Sequence, residues 1–222
     1  MSLPKPYYED EEHGIVIYHA DCRELLPLLP RVDLLLTDPP YGINITQMTL
    51  GNGRNPIYRG ANHWDQCAPD IQIWVEHASH AVVWGGNYFC MPPSSRWFVW
   101  DKLTGDNDYA DCELAWTNGA GVVKKYTQLW KGVNAREPHE RRVHPTQKPL
   151  GLMKWCLGFF PKAETVLDPF MGSGTTLVAC KQLGRRGIGI ELDERYCEIA
   201  ARRLSQWMLF GQDELAQIGG GK

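Results

Sequence analysis

Asp38, Pro39, Pro40 and Tyr41 put a carboxylate, a stiffened backbone and an aromatic ring into four consecutive residues. Two adjacent prolines donate no ladder hydrogen bonds and force a rigid, extended path. The apolar run before them, Val32 to Leu36 around Asp33, reads as a buried strand. The tetrapeptide therefore stands at a strand's carboxyl end, where open α/β sheets hold their ligands. These groups suit the gripping of a planar amino group and the ring that bears it. Asp38 can accept one N–H, the Pro39 carbonyl the other, and Tyr41 can stack on the ring face. Taken alone, the same four residues also fit a plain Pro-Pro turn in which Asp38 merely caps the next few residues.

A second set of chemical groups lies late in the chain. Thr165 to Leu167 reads as a strand ending at Asp168, followed by the glycine-rich turn PFMGSGTT, a helix to about Leu183 closed by Gly184, and a strand Arg186 to Ile190 ending at Glu191. Gly172 and Gly174 let the backbone approach a ligand closely. Glu191 lies 23 residues beyond Asp168, the spacing of a carboxylate that meets ribose hydroxyls. A nicotinamide dinucleotide fits less well. The turn lacks the third glycine, and a pyrophosphate would meet the like charge of Asp168. A ligand with an ammonium group and a ribose but no phosphate satisfies both acids, and S-adenosylmethionine is such a ligand.

The elements that must position these groups follow the same period. Ile15 to Ala20 reads as a strand ending at Asp21, with a short helix through Leu25 curtailed by Pro27. Ile71 to Ser79 looks helical and Ala81 to Trp84 looks like a strand. Arg96 to Trp100 and Cys112 to Trp116 alternate like a hairpin or sheet edge. Leu150 to about Phe160 and Arg195 to Phe210 complete the helices, and the Gly219 to Gly221 tail reads as frayed. Between Gly42 and Trp64 the pattern dissolves into Gly, Asn, Thr and Arg, a length that marks a lid, a binding loop or surface disorder. Nine tryptophans are present; Trp84, Trp97, Trp100 and Trp116 fall on the expected strands and read chiefly as core.

At 222 residues the chain suits one α/β domain. Its net charge of −3 excludes a protein coated in positive potential. Charge is uneven, however: Val122 to Leu150 carries seven Lys/Arg against two acids, which marks either a polyanion-facing surface or a solvated loop. The seven cysteines form no CxxC pair and no Cys/His grouping, so no metal site is expected and reduced thiols fit. No signal peptide or membrane-length apolar run is visible, and a cytoplasmic protein is the expectation.

The motifs DPPY, HPTQKP and DPFMGSGTT, in that order, resemble those of the DNA amino-methyltransferases of the permuted β class, in which the catalytic half precedes the cofactor half. The resemblance spans about Ile15 to Leu204. It implies a single Rossmann-like α/β domain, mostly parallel with an antiparallel edge hairpin and helices on both faces. Residues 15–116 form the catalytic half, 117–143 a short basic segment in place of a large target-recognition region, and 144–210 the cofactor half. It implies that Asp168, Phe170, Gly172, Ser173, Gly174 and Thr175 hold the methionine part of S-adenosylmethionine, Glu191 the ribose and Asp21 the adenine. Thr146 and Lys148 of HPTQKP would lie near the methionine carboxylate, a role a lysine suits as a cation. The implied partner is DNA, with an adenine flipped from the duplex onto Asp38, Pro39, Pro40 and Tyr41. An acidic first residue resembles the adenine-N6 enzymes, with cytosine-N4 as the alternative and an idle nucleic-acid binder of the same fold as a third reading. Such proteins are often dimers, so a homodimer is also open.

Overall fold

The computed structural model describes residues 2–43, 68–103, 110–129 and 147–210, with side chains through 205. Its strands are β1 (Tyr8–Asp10), β2 (Ile15–His19), β3 (Val32–Thr37), β4 (Ala78–Trp84), β5 (Trp97–Asp101), β6 (Cys112–Thr117), β7 (Lys124–Thr127), β8 (Thr165–Asp168) and β9 (Arg186–Glu191). The helices are α1 (Cys22–Leu25), α2 (Gln72–Glu76), α3 (Leu150–Gly158), α4 (Thr175–Gln182) and α5 (Glu194–Phe210). All nine strands join one sheet in the order β1-β2-β9-β8-β3-β4-β6-β5-β7.

The middle of that order is parallel: β2 with β9, β9 with β8, β8 with β3, and β3 with β4. Its strands are near-continuous apolar runs because both faces are covered. Leu34 and Leu36 face a core with α3, α4 and α5 residues such as Leu152, Cys156, Leu177 and Leu204. Leu35 faces the opposite core, with Leu25, Ile71 and Trp74 from the α1 and α2 side. The chain leaves β8 through α4 on the first face toward β9, and leaves β3 toward α2 on the second face and β4. Neighbouring strands whose connections depart to opposite faces create a crevice at their carboxyl ends. Here that switch point falls between β8 and β3, which end at Asp168 and just before Asp38.

The expected hairpin is present as the antiparallel pair β5–β6, and β6 also pairs antiparallel with β4. Neither strand is the edge. β7 lies outside β5, paired in parallel from Phe98–Lys124 to Asp101–Thr127, while β1 covers β2 at the other side. The helix expected over Ile71 to Ser79 stops at Glu76, because Ala78 and His80 pair with Val32 and Leu34. Local propensity there yields to sheet pairing. Most of the loop from Gly42 to Trp64 and most of the basic segment lie outside the described residues. Among the described residues, no helix is long and apolar enough to cross a membrane.

Candidate active site

Five parallel strands end along one rim. His19 is level with Glu191, Gly189 with Asp168, and Leu35 with both Leu167 and Ala81. This rim collects Asp21, Glu191, Asp168 and Asp38 from β2, β9, β8 and β3. Because β6 runs antiparallel to β4, its first residues reach the same rim, and Glu113 is among them.

At the centre, Thr37 Oγ1 donates to Asp168 Oδ1 at 2.8 Å and ties the two motif-bearing strands together. Asp168 is 4% exposed, and burial pushes its carboxyl up to about 6. The hydroxyls of Thr176 and Thr37 and the Phe170 N–H oppose that rise, and the nearby charge of Asp38 adds to it. Among the described residues no cation pairs with Asp168. A buried carboxylate held by neutral donors is suited to receive a ligand's ammonium group.

Around it the glycine turn folds onto Glu191: the Gly172 N–H donates to Oε2 at 2.9 Å and the Asp193 N–H to Oε1 at 2.9 Å. Burial raises the Glu191 pKa, and those two N–H groups oppose it. Ser173 and Thr175 are buried, and their hydroxyls accept from Arg203 of α5, both at 3.1 Å. These two are braces of the turn. The Phe170 ring stands edge-on to Trp74 with centroids 6.1 Å apart. Asp21 is farther along the rim, where it caps α1 through the Arg23 N–H at 2.9 Å and is gripped by the Arg23 guanidinium. That side-chain contact holds its carboxyl below its ordinary range.

The DPPY corner has more partners than its sequence announces. Tyr41 Oη donates to Asp38 Oδ1 at 2.5 Å, while Lys148 Nζ donates to Asp38 Oδ2. The Tyr41 ring lies nearly parallel to Tyr88, with centroids 4.8 Å apart and planes 14° apart, and edge-on to Phe89. One face of Tyr41 is thereby taken by another tyrosine. Room for the ring depends on Gly85, at φ 69°, where an added Cβ would come 2.0 Å from Tyr41 Cε1. A left-handed backbone against an aromatic ring leaves glycine as the residue that fits.

Lys148, expected near the methionine carboxylate, has its ammonium paired with Asp38 and 3.0 Å from Glu113 Oε2. The physical reason is charge: two carboxylates near one buried point need a cation between them. Lys102 reaches the other Glu113 oxygen at 2.5 Å. Thr146, expected beside Lys148, lies outside the described residues. Glu113, Lys102, Tyr88 and Thr37 join the site without having stood out in the sequence. The one available signal is Gly85-Gly86, which marks a close approach; nothing in CELAWT separates Glu113 from an ordinary outward polar residue.

The parallel sheet with paired acids at its carboxyl rim defines a Rossmann-like methyltransferase fold. Solved structures agree: M1.HpyAVI in complex with S-adenosylmethionine superposes with a TM-score of 0.54 at 24% identity, covering 86% of this chain and 98% of that one. The cytosine-N4-specific PvuII DNA methyltransferase gives 0.55 at 16% identity, covering 93% and 90%. A family model described as DNA methylase, for N6 and N4 methyltransferases, matches residues 96–202. Among curated relatives, the type II methyltransferase M2.MboI of Moraxella bovis is 27% identical over 250 aligned positions, covering 90% of each chain. M.ScaI of Streptomyces caespitosus is 26% identical over 273 positions, covering 91% of this chain and 84% of the relative. Family model, curated relatives and solved structures alike make the chain similar to N6/N4 DNA amino-methyltransferases.

Proposed function

We propose that this protein transfers a methyl group from S-adenosylmethionine to the exocyclic N6 amine of adenine in DNA. The supporting observation is the adjacency of the two motif-bearing strand ends, bridged by the Thr37–Asp168 hydrogen bond. An amine held at Asp38 and a ligand ammonium held at Asp168 then share one crevice. The donor set fits the cofactor: a buried carboxylate without a cation partner among the described residues for the ammonium, and Glu191 at a strand end for the ribose. When bound, the cofactor supplies an electrophilic methyl on a sulfonium.

The chain's own residues deal with the nucleophile. An exocyclic amine is weak because its lone pair is delocalised into the ring. Each Asp38 oxygen already accepts one hydrogen bond, from Tyr41 and from Lys148, and a carboxylate oxygen can accept a second. One amine N–H therefore fits on Asp38 and the other on the Pro39 carbonyl, which favours a pyramidal nitrogen with its lone pair free. Positioning and charge stabilisation carry the rate. No Pro-Cys dipeptide occurs in the chain, so covalent attack on a ring carbon has no nucleophile of that kind.

Adenine is favoured over cytosine by the acidic first residue of DPPY. The test is transfer of a labelled methyl group to DNA, followed by nucleoside analysis. N6-methyladenine is the expected product; N4-methylcytosine would move the assignment to the alternative base, and no transfer to any DNA would end the reading.

A further inference from the structure

Asp38 sits at the end of a line of alternating charges. Lys102 follows β5 and contacts Glu113 of β6; Glu113 contacts Lys148, just before α3; Lys148 contacts Asp38, just after β3. Four separate elements thus converge on one string of two ammonium groups and two carboxylates. The side chains of Lys148, Asp38, Glu113 and Lys102 are 7%, 19%, 25% and 19% exposed, so solvent screens the string only partly. Lys148 is further enclosed by the Tyr41 and Trp84 rings, 6.0 Å and 5.9 Å from its ammonium.

Such a string serves no obvious purpose in stability, since partly buried ion pairs roughly break even against apolar packing. Its chemical effect on Asp38 is specific. Lys148 favours the ionised carboxylate, which is the form that accepts an amine N–H. Glu113 acts against this twice, by repelling Asp38 and by drawing on the same ammonium. We propose that Lys148 and Glu113 are paired positioning residues that hold Asp38 charged yet still able to take up a proton from the substrate amine. The inference rests on the methyl-transfer reading for its purpose, though not for its test. In the step served, the N–H bonding pair stays on nitrogen and the proton moves to an Asp38 oxygen.

The surrounding groups agree in direction. Burial raises the Asp38 pKa, Lys148 pulls it down and Glu113 pushes it up. Burial also raises Glu113, but Lys148 and Lys102 outweigh it and hold that carboxyl at about 2. Among the described residues, Asp38 also meets Tyr41 on its own turn, with Tyr88 behind it, and the charge of Asp168 at the end of β8. Tyr41 stays uncharged near neutrality, since burial lifts it far above its usual range.

Carboxyl-carbon NMR titration of Asp38, its signal assigned with Asp38→Asn, reads the proposal without any turnover. Glu113→Gln is expected to lower the Asp38 midpoint and Lys148→Met to raise it; Lys148→Arg returns it toward wild type. Midpoints that move in the same direction, or not at all, overturn the clamp. If Lys148→Met fails to fold, Glu113→Gln decides: a lowered Asp38 midpoint supports the clamp, and an unchanged or raised one overturns it. In transfer assays, Lys148→Met should lose at least tenfold in kcat at neutral pH and regain part of it as pH rises, while calorimetric affinity for S-adenosylmethionine stays within a few-fold. An equal loss of cofactor affinity would instead put Lys148 on the cofactor's carboxylate and overturn the proposal. Absence of transfer by the wild type would sink the proposed function alone, because the titration still reports on the clamp.

Discussion

At the level of single residues, Asp38 and Asp168 are two acids on adjacent strand ends with opposite surroundings. Asp38 has a cation in contact and a carboxylate beyond it; Asp168 has hydroxyls and an N–H. Asp38→Ala is expected to abolish methyl transfer while cofactor affinity, measured by calorimetry, changes only a few-fold. Asp168 carries a pH signature. Its folded carboxyl retains a proton up to about 6, against an ordinary value of 3.8. The folded chain therefore binds more protons than the unfolded chain across that window, and stability falls as pH rises through it, by about 3 kcal/mol in all. Urea unfolding followed from pH 4 to 7 should show this slope, and Asp168→Asn should flatten it. An unchanged slope in the variant would mean that the acid is better solvated than its 4% exposure indicates.

At the level of elements, the glycine turn after β8 depends on how closely α4 lies on β9. An added Cβ at Gly189 would come 2.5 Å from Met171 Sδ and 2.6 Å from Leu177 Cδ1. Gly189 is level with Asp168 in the sheet, so a displaced α4 disturbs the acid's own turn. Gly189→Ala is expected to cost about 1–3 kcal/mol by overpacking, read from a shifted denaturation midpoint, and to weaken cofactor binding in the same variant. The motif strands are legible from sequence because each is an apolar run stopped by an acid. The edge strands β1 and β7 are not. β7 is the exposed Lys124 and Lys125 followed by Tyr126 and Thr127, and it is a strand through its pairing with β5. Sequence periodicity extends α2 too far for the same reason, since the residues beyond it belong to a partner strand more than forty residues away in sequence.

At the level of the whole molecule, the two chain halves are interlocked. β2 of the first half pairs with β9 of the second, and β3 with β8. Lys181 of α4, 3% exposed, donates to Asp10 of β1 at 2.6 Å and to the Leu204 carbonyl at 3.1 Å, pinning the N-terminal strand to α4 and α5. Removing one partner of a buried pair strands the other charge. Lys181→Met should lower the unfolding free energy by about 3–5 kcal/mol, and adding Asp10→Leu should recover much of it. The aligned length of 273 positions with M.ScaI exceeds the 222 residues of this chain, so that relative carries segments with no counterpart here.

Local chemistry written in the chain already contained the strand-ending acids, the stiff prolines, the glycine turn and the order of the three motifs. Those features depend on neighbours a few residues apart, and they point to both halves of the candidate site. Folding alone decided what stands opposite what. The hydroxyl of Thr37 meets a carboxylate 131 positions away, and the Lys148 ammonium meets one 110 positions away. Glu113 joins them because an antiparallel strand turns its first residues to the common rim. Charge pairing across such separations is set by strand order and direction, and the spacing of residues along the chain holds no record of it.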